Sequence, residues 1–155
     1  MAKIERKYLA HYIQVGENEY IRLGKDLEEY APELSAQVEK SKNILGEVAV
    51  RITGYEKTGE VAPYFAEQGD PLFEKLQAII DGDLTLDACR AAMVEVKLWE
   101  GEGTAFPAIR EECFLEITSY GGDTQGYQIP FTVHYTGIKE TGTFDVSTKS
   151  FTAAE

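Results

Sequence analysis

Histidine is scarce in this chain: His11 and His134 are the only two, and neither neighbours a nucleophile in a known motif. There is no H-E-x-x-H, no G-x-S-x-G, no P-loop and no Cys-x-x-Cys, so zincin, serine hydrolase, nucleotide-phosphate and dithiol chemistry have no motif to stand on. Cysteine is as sparse. Cys89 and Cys113 are too few for a disulfide framework, and their apolar surroundings predict buried free thiols. No apolar run approaches the ~18–20 residues that a membrane span needs. The segment Met1–Lys7 lacks the apolar stretch of a signal peptide, so a soluble protein of the cytoplasm is expected. Basic segments are missing too. The net charge is −12, with 9 acids and 7 bases in residues 1–50, 11 and 6 in 51–110, and 7 and 2 in 111–155. Affinity for phosphates comes from clustered Lys and Arg, so this balance argues against a nucleic-acid binder.

The acids that make up this excess do not form a recognisable site. Asp81-Gly82-Asp83 with Asp87 hints at a calcium loop, but Leu86 stands where the glycine belongs and Ala92 where the bidentate glutamate belongs. A helix-ending turn with solvated acids is the plainer reading. Glu28-Glu29 and Glu111-Glu112 are adjacent pairs, which point to opposite faces of an extended chain and make poor catalytic couples. Gly121-Gly122 and Gly101/Gly103 lack the strand-to-helix context of a phosphate cradle. His134, on the more polar face of a strand, reads as a surface or satisfied histidine. No enzymatic activity, metal or cofactor is expected.

What is present is one well-marked helix in a chain of strands. Asp70 suits the N-cap, Pro71 the first helical position, and Gly82 a left-handed stop, which predicts a helix over residues 70–81. Leu72, Leu76, Ile79 and Ile80, with Phe73 beside them, form one apolar stripe. So short a helix is marginal alone and must dock on a sheet. Leu76→Ala should then be costly, and Gln77→Ala, off the stripe, nearly neutral.

The rest alternates as strands do. His11–Val15 and Tyr20–Leu23 flank a turn. Pro32 and the alternation Leu34/Ala36/Val38 favour an irregular entry into a strand. Glu39–Asn43 then reads as a polar loop followed by the apolar pair Ile44-Leu45, and residues 47–55 follow as a strand with Val48, Val50 and Ile52 on one side. Leu84 and Leu86 begin an extended piece, and Ala91–Trp99 and the Cys113–Thr118 region are strands. Tyr127–Tyr135 is expected to be the longest strand, with a last hairpin from Gly137 to Thr152. The prediction is a mainly β protein, a β-sandwich or barrel with one flanking α-helix, formed by a single domain over residues 1–155.

Several ordered stretches carry a resemblance. Asn43-Ile44-Leu45-Gly46-Glu47, Gly54–Ala66 followed by Gly69-Asp70-Pro71-Leu72-Phe73, and Gly137–Asp145 resemble major tail proteins of long-tailed bacteriophages with non-contractile tails. The resemblance implies a tail tube subunit that closes into hexameric rings, stacked into a channel through which genomic DNA passes without tight binding. It also implies partners among other phage tail proteins, a place in the virion tail, and synthesis in the cytoplasm of a bacterial host, with no membrane involved. An extended assembly loop around residues 36–47 would reach a neighbouring subunit, with Lys40, Ser41, Lys42, Asn43, Ile44 and Leu45 as its contact residues. Glu95 and Glu116 are the candidate lumen-facing acids, since acidic walls let the phosphate backbone slide past. The alternative from another class is a monomeric carbohydrate-type module stacking its ligand on Trp99 and nearby tyrosines.

Overall fold

The computed structural model describes residues 2–24, 27, 29–100 and 103–154. Asp26 and Glu28, and Gly101 and Glu102 of the predicted loop, lie outside the described residues. The chain is mainly β, and its principal sheet is a nearly closed, barrel-like one carrying a single α-helix. Twelve elements define it in chain order: β1 (Leu9–Gly16), β2 (Glu19–Arg22), β3 (Ala36–Lys42), β4 (Val48–Tyr55), β5 (Thr58–Val61), α1 (Pro71–Gly82), β6 (Arg90–Lys97), β7 (Ala105–Ile117), β8 (Gly121–Asp123), β9 (Gly126–Gln128), β10 (Phe131–Asp145) and β11 (Ser150–Ala153). Short 3-10 turns sit at Arg6–Tyr8 and Leu86–Cys89.

The principal sheet runs β11-β10-β7-β6-β1-β2, with antiparallel pairing between neighbours and β5 alongside the first part of β10. Its two ends approach each other: the Phe151 backbone N–H in β11 donates to the Asn18 side chain between β1 and β2. Because strand residues alternate in direction, each strand feeds two cores. Ile13, Met93, Cys113, Leu115, Phe131 and Val133 face α1, while Tyr12, Tyr20, Val94, Val96, Ala108 and Phe144 fill the space inside the curl.

The helix docks as its stripe requires. Leu72, Leu76 and Ile79 are buried, and Phe73 and Ile80 pack half-buried at the margin. Asp70 caps it, its carboxylate accepting from the Leu72 N–H at 3.1 Å and from the Tyr64 hydroxyl. The C-terminal stop falls one residue later than expected: Gly82 closes the helix, and Asp83 takes the left-handed conformation at φ 48°. Aspartate tolerates that region better than most residues. The Leu84 N–H then reaches back to the Ile79 carbonyl at 3.2 Å, a Schellman closure. Gln77 is not idle either: it accepts from the Tyr127 hydroxyl at 2.6 Å and donates to Asp81 at 2.8 Å.

Three other expectations are corrected. Leu86 does not begin a strand, because residues 86–89 form a 3-10 turn entered at φ 55°. Residues 127–135 are not one strand, since β9 pairs with β8 and the chain breaks at Ile129-Pro130 before β10. Gly137 does not start a new hairpin: β10 passes through it as a bulge between Tyr135 and Lys139 and continues to Asp145. Of the two thiols, Cys113 is buried and Cys89 only half-buried.

Candidate functional site: an outward-facing hairpin

The stretch read from sequence as a polar loop is a strand. β3 pairs with β4 through Val38–Ile52, Glu39–Arg51, Lys40–Val50, Ser41–Ala49 and Lys42–Val48, forming a two-stranded sheet of its own. The polar residues 39–43 hid it, because a strand with no buried face has no apolar alternation to display. Directly opposed residues share a face. One face therefore carries Val38, Val48, Val50 and Ile52 together with Lys40 and Lys42, and the other carries Glu39, Ser41, Ala49 and Arg51. Every residue of both strands is exposed except half-buried Gly54. The apolar face meets nothing.

The tip is built as a fixed turn. Asn43 Oδ1 accepts from the backbone N–H groups of Leu45 at 2.9 Å and Glu47 at 3.0 Å, and the Asn43 carbonyl accepts from Gly46 N–H at 3.0 Å. Gly46 sits at φ 82°, where a side chain would be strained. This turn holds Ile44 and Leu45 outward, 102% and 78% exposed. The pair does not fold back on its own body. Lys40, Ser41, Lys42, Asn43, Ile44 and Leu45 thus sit together along the far half of one projecting hairpin, with Ser41 on the face opposite the two lysines.

The root of the hairpin is clamped. Glu33 and Thr58 exchange backbone hydrogen bonds of 2.7 and 3.0 Å, and Glu56 N–H donates to the Leu34 carbonyl. Just upstream, the buried Tyr30 is held from three sides. Its hydroxyl bonds Tyr135 at 2.6 Å, its ring meets His11 edge-on at 4.8 Å, and its carbonyl accepts from Arg6 at 2.9 Å. Beneath lies a charged cluster with no sign in the sequence pattern. Lys57 Nζ is 3.3 Å from buried Glu111 and 4.5 Å from the centre of the Tyr135 ring, and Glu111 also accepts from Gly137 N–H at the β10 bulge. Burial raises the pKa values of Tyr30 and Tyr135, so both stay neutral hydroxyls. Desolvation of the Lys57 and Glu111 charges offsets much of their attraction, so such a buried pair adds little net stability, although removing one partner would strand the other.

Glu95 belongs to the margin of this cluster. It is one third exposed, lies directly opposite His11 in the β1–β6 pairing, and comes 3.4 Å from the imidazole Nε2, which has no better-aligned partner among the described residues. That imidazole lowers the Glu95 pKa, against a smaller opposing effect of burial. Glu116 is different: 61% exposed, it lies opposite the outer end of β10 and pairs with His134 at 3.0 Å. Trp99 stands in the turn after β6, 40% exposed, while Tyr12, Tyr20 and Tyr30 are inside the protein. Asp87 pairs with Arg90, and no group of three or more potential metal-ligating side chains occurs among the described residues. No helix among the described residues is long and apolar enough to cross a membrane, which leaves a strand-built span unaddressed.

No known protein family matches this chain, and no curated protein matches it.

Proposed function

We propose that this chain is the structural subunit of a phage tail tube, assembling with copies of itself into stacked hexameric rings that form a channel for DNA. The observation that carries the reading is the β3–β4 hairpin, which projects an apolar face and an apolar tip away from both hydrophobic cores of the body. A lone two-stranded hairpin is marginal in water, and a contiguous apolar patch on a soluble chain marks an interaction surface. Burial against a neighbour supplies the missing layer. The resembling stretches fall on the hairpin tip Asn43–Glu47, on the end of β4 with β5, on the start of α1, and on the second half of β10.

Charge supports the same role. The hairpin carries three bases and two acids in a chain of net −12, so the acid excess resides entirely on the body. A channel lined by that excess repels the phosphate backbone and lets a duplex slide. Of the two acids expected in the lumen, Glu116 pairs with the exposed His134 and Glu95 is engaged by His11. The acid excess of the whole body, rather than either residue, is therefore what supports the role.

Light scattering and negative-stain microscopy of the purified chain test this. Rings or tubes are expected, growing with protein concentration. A monodisperse 17.3 kDa species at every concentration would overturn the assembly reading and favour a monomeric binding module.

A further inference from the structure

A projecting hairpin needs a receiving surface, and the body has one that its own chain leaves open. A cleft of about 590 Å³ lies between the C-terminal end of α1 and the end of β7. Ile79, Ile80, Leu84, Ile117 and Tyr120 give it an apolar floor. Asp83 and Glu116 stand at it, and no lysine or arginine lines it. Tyr120 is largely exposed and Leu84 sits at the exposed margin, so the floor is only partly covered.

We infer that this cleft receives the hairpin tip of a second copy, with Ile44 and Leu45 on the apolar floor and Lys40 and Lys42 against Asp83 and Glu116. The inference rests on the self-assembly reading above and names its acceptor surface. Three observations select a second copy. The tip is fully exposed, so the hairpin does not occupy the cleft of its own molecule. Seven residues of β3 at ~3.3 Å each carry the tip roughly 23 Å from its root, far enough to cross to a neighbour. The charges are complementary. Lys40 and Lys42, which form no ion pair among the described residues, stand behind the apolar tip along one hairpin face. Asp83 and the His134-paired but exposed Glu116 stand at the apolar cleft. Tip and cleft are different surfaces of one chain, so the contact is head-to-tail, the type that closes a ring or extends a filament.

Two variants separate the halves of the contact. Ile44→Asp/Leu45→Asp removes the tip and keeps the cleft. Glu116→Lys/Tyr120→Lys spoils the cleft at two exposed positions and keeps the tip. Each alone should lose the assemblies that the native chain forms. An equimolar mixture should recover a one-to-one pair, twice the 17.3 kDa chain mass, and stop there, because only one productive contact remains. If the cleft variant assembles as the native chain does, the acceptor surface is wrong while self-assembly stands. If the native chain itself never associates, both readings fall.

A covalent readout covers loss of folding in the cleft variant. Ile44→Cys and Tyr120→Cys, each in a Cys89→Ser background, are mixed under mild oxidation. The remaining Cys113 is buried, its thiol pKa pushed up to about 12, so it stays out of the exchange. A disulfide-linked heterodimer well beyond the twofold excess over each homodimer that random pairing gives is expected. Yields no better than random pairing would overturn the docking.

Discussion

β6 and β4 are eight-residue strands of similar composition with opposite fates. Arg90–Lys97 lies between β1 and β7, and residues 91–94 and 96 are buried, on both faces at once. Val48–Tyr55 has one partner and neither face covered, so Val48, Val50 and Ile52 stand in water. The difference lies in what the neighbouring strands offer. β1 and β7 present Ala10, Tyr12, Ile13, Ala108 and Cys113 beside β6, whereas β3 presents Lys40 and Lys42 opposite Val50 and Val48. An apolar strand whose only partner is polar has no core to join within its own chain. On the assembly proposed above, a neighbouring copy would supply that core.

The largest test of this contrast compares side chains in the two regions. Leu76→Ala empties a fully buried position between α1 and the sheet and should cost ~2–5 kcal/mol. Val50→Ala, at an exposed position, should stay within about 0.5 kcal/mol in the dilute, unassembled subunit. Urea midpoints of both variants check this. Equal losses would mean that the hairpin packs on its own body in solution.

A smaller effect is expected at the edge of the body, where Glu95 meets His11. The Glu95 pKa is lowered from 4.5, chiefly by His11 beside it. A carboxyl depressed by folding adds stability above its unfolded value, and that contribution disappears as pH falls through the folded value. The stability gap between the native chain and Glu95→Gln should therefore be constant near neutrality and narrow as pH drops below 4.5. Lys57 and Lys97 also face Glu95 and lower its pKa by smaller amounts. His11→Gln should abolish most of the pH dependence. Denaturant midpoints across the acid range measure it, and an unchanged gap would show the pair to be inert.

The helix and the alternating strands were legible because each has a buried face written at its own period: Leu72, Leu76 and Ile79 along α1, and Cys113, Leu115 and Ile117 along β7. The hairpin was half legible. Ile44-Leu45 was visible as an apolar pair without a core, and Leu34/Ala36/Val38 as an entry into a strand, but the rest of β3 was not visible as a strand. Its residues 39–42 are all polar, and pairing with β4 is its only reason to be extended. The exposure of Val48, Val50 and Ile52 had one available sign, the polar partner strand just before them. The Tyr30, Lys57, Glu111 and Tyr135 cluster had none, because its members come together only through the β10 bulge and the clamp at the hairpin root. The α1 stop moved by one residue because a left-handed aspartate, rather than the glycine before it, ended the helix.

The smallest effect on folding carries the most information about the hairpin, because it asks which of its two faces is covered in the assembly. Val50→Thr/Ile52→Thr keeps the β-branching and the strand propensity while replacing a methyl of Val50 and the ethyl of Ile52 by hydroxyls. Both positions are exposed in the isolated chain, so its melting should shift little, within about 0.5 kcal/mol. In an assembled tube the same hydroxyls would be desolvated without partners. The variant should accordingly need a higher protein concentration than the native chain to assemble. Arg51→Ala acts on the opposite face and removes only a solvated pair with Glu39 at 3.1 Å, an interaction worth little. Its assembly should match the native chain, followed by light scattering across a concentration series. Were Arg51→Ala impaired and the threonine variant intact, the covered face would be that of Glu39, Ser41 and Ala49. The valines would then be surface residues that happen to alternate. If both variants assemble normally, the tip alone makes the contact, and the interface reduces to Ile44, Leu45 and the lysines behind them.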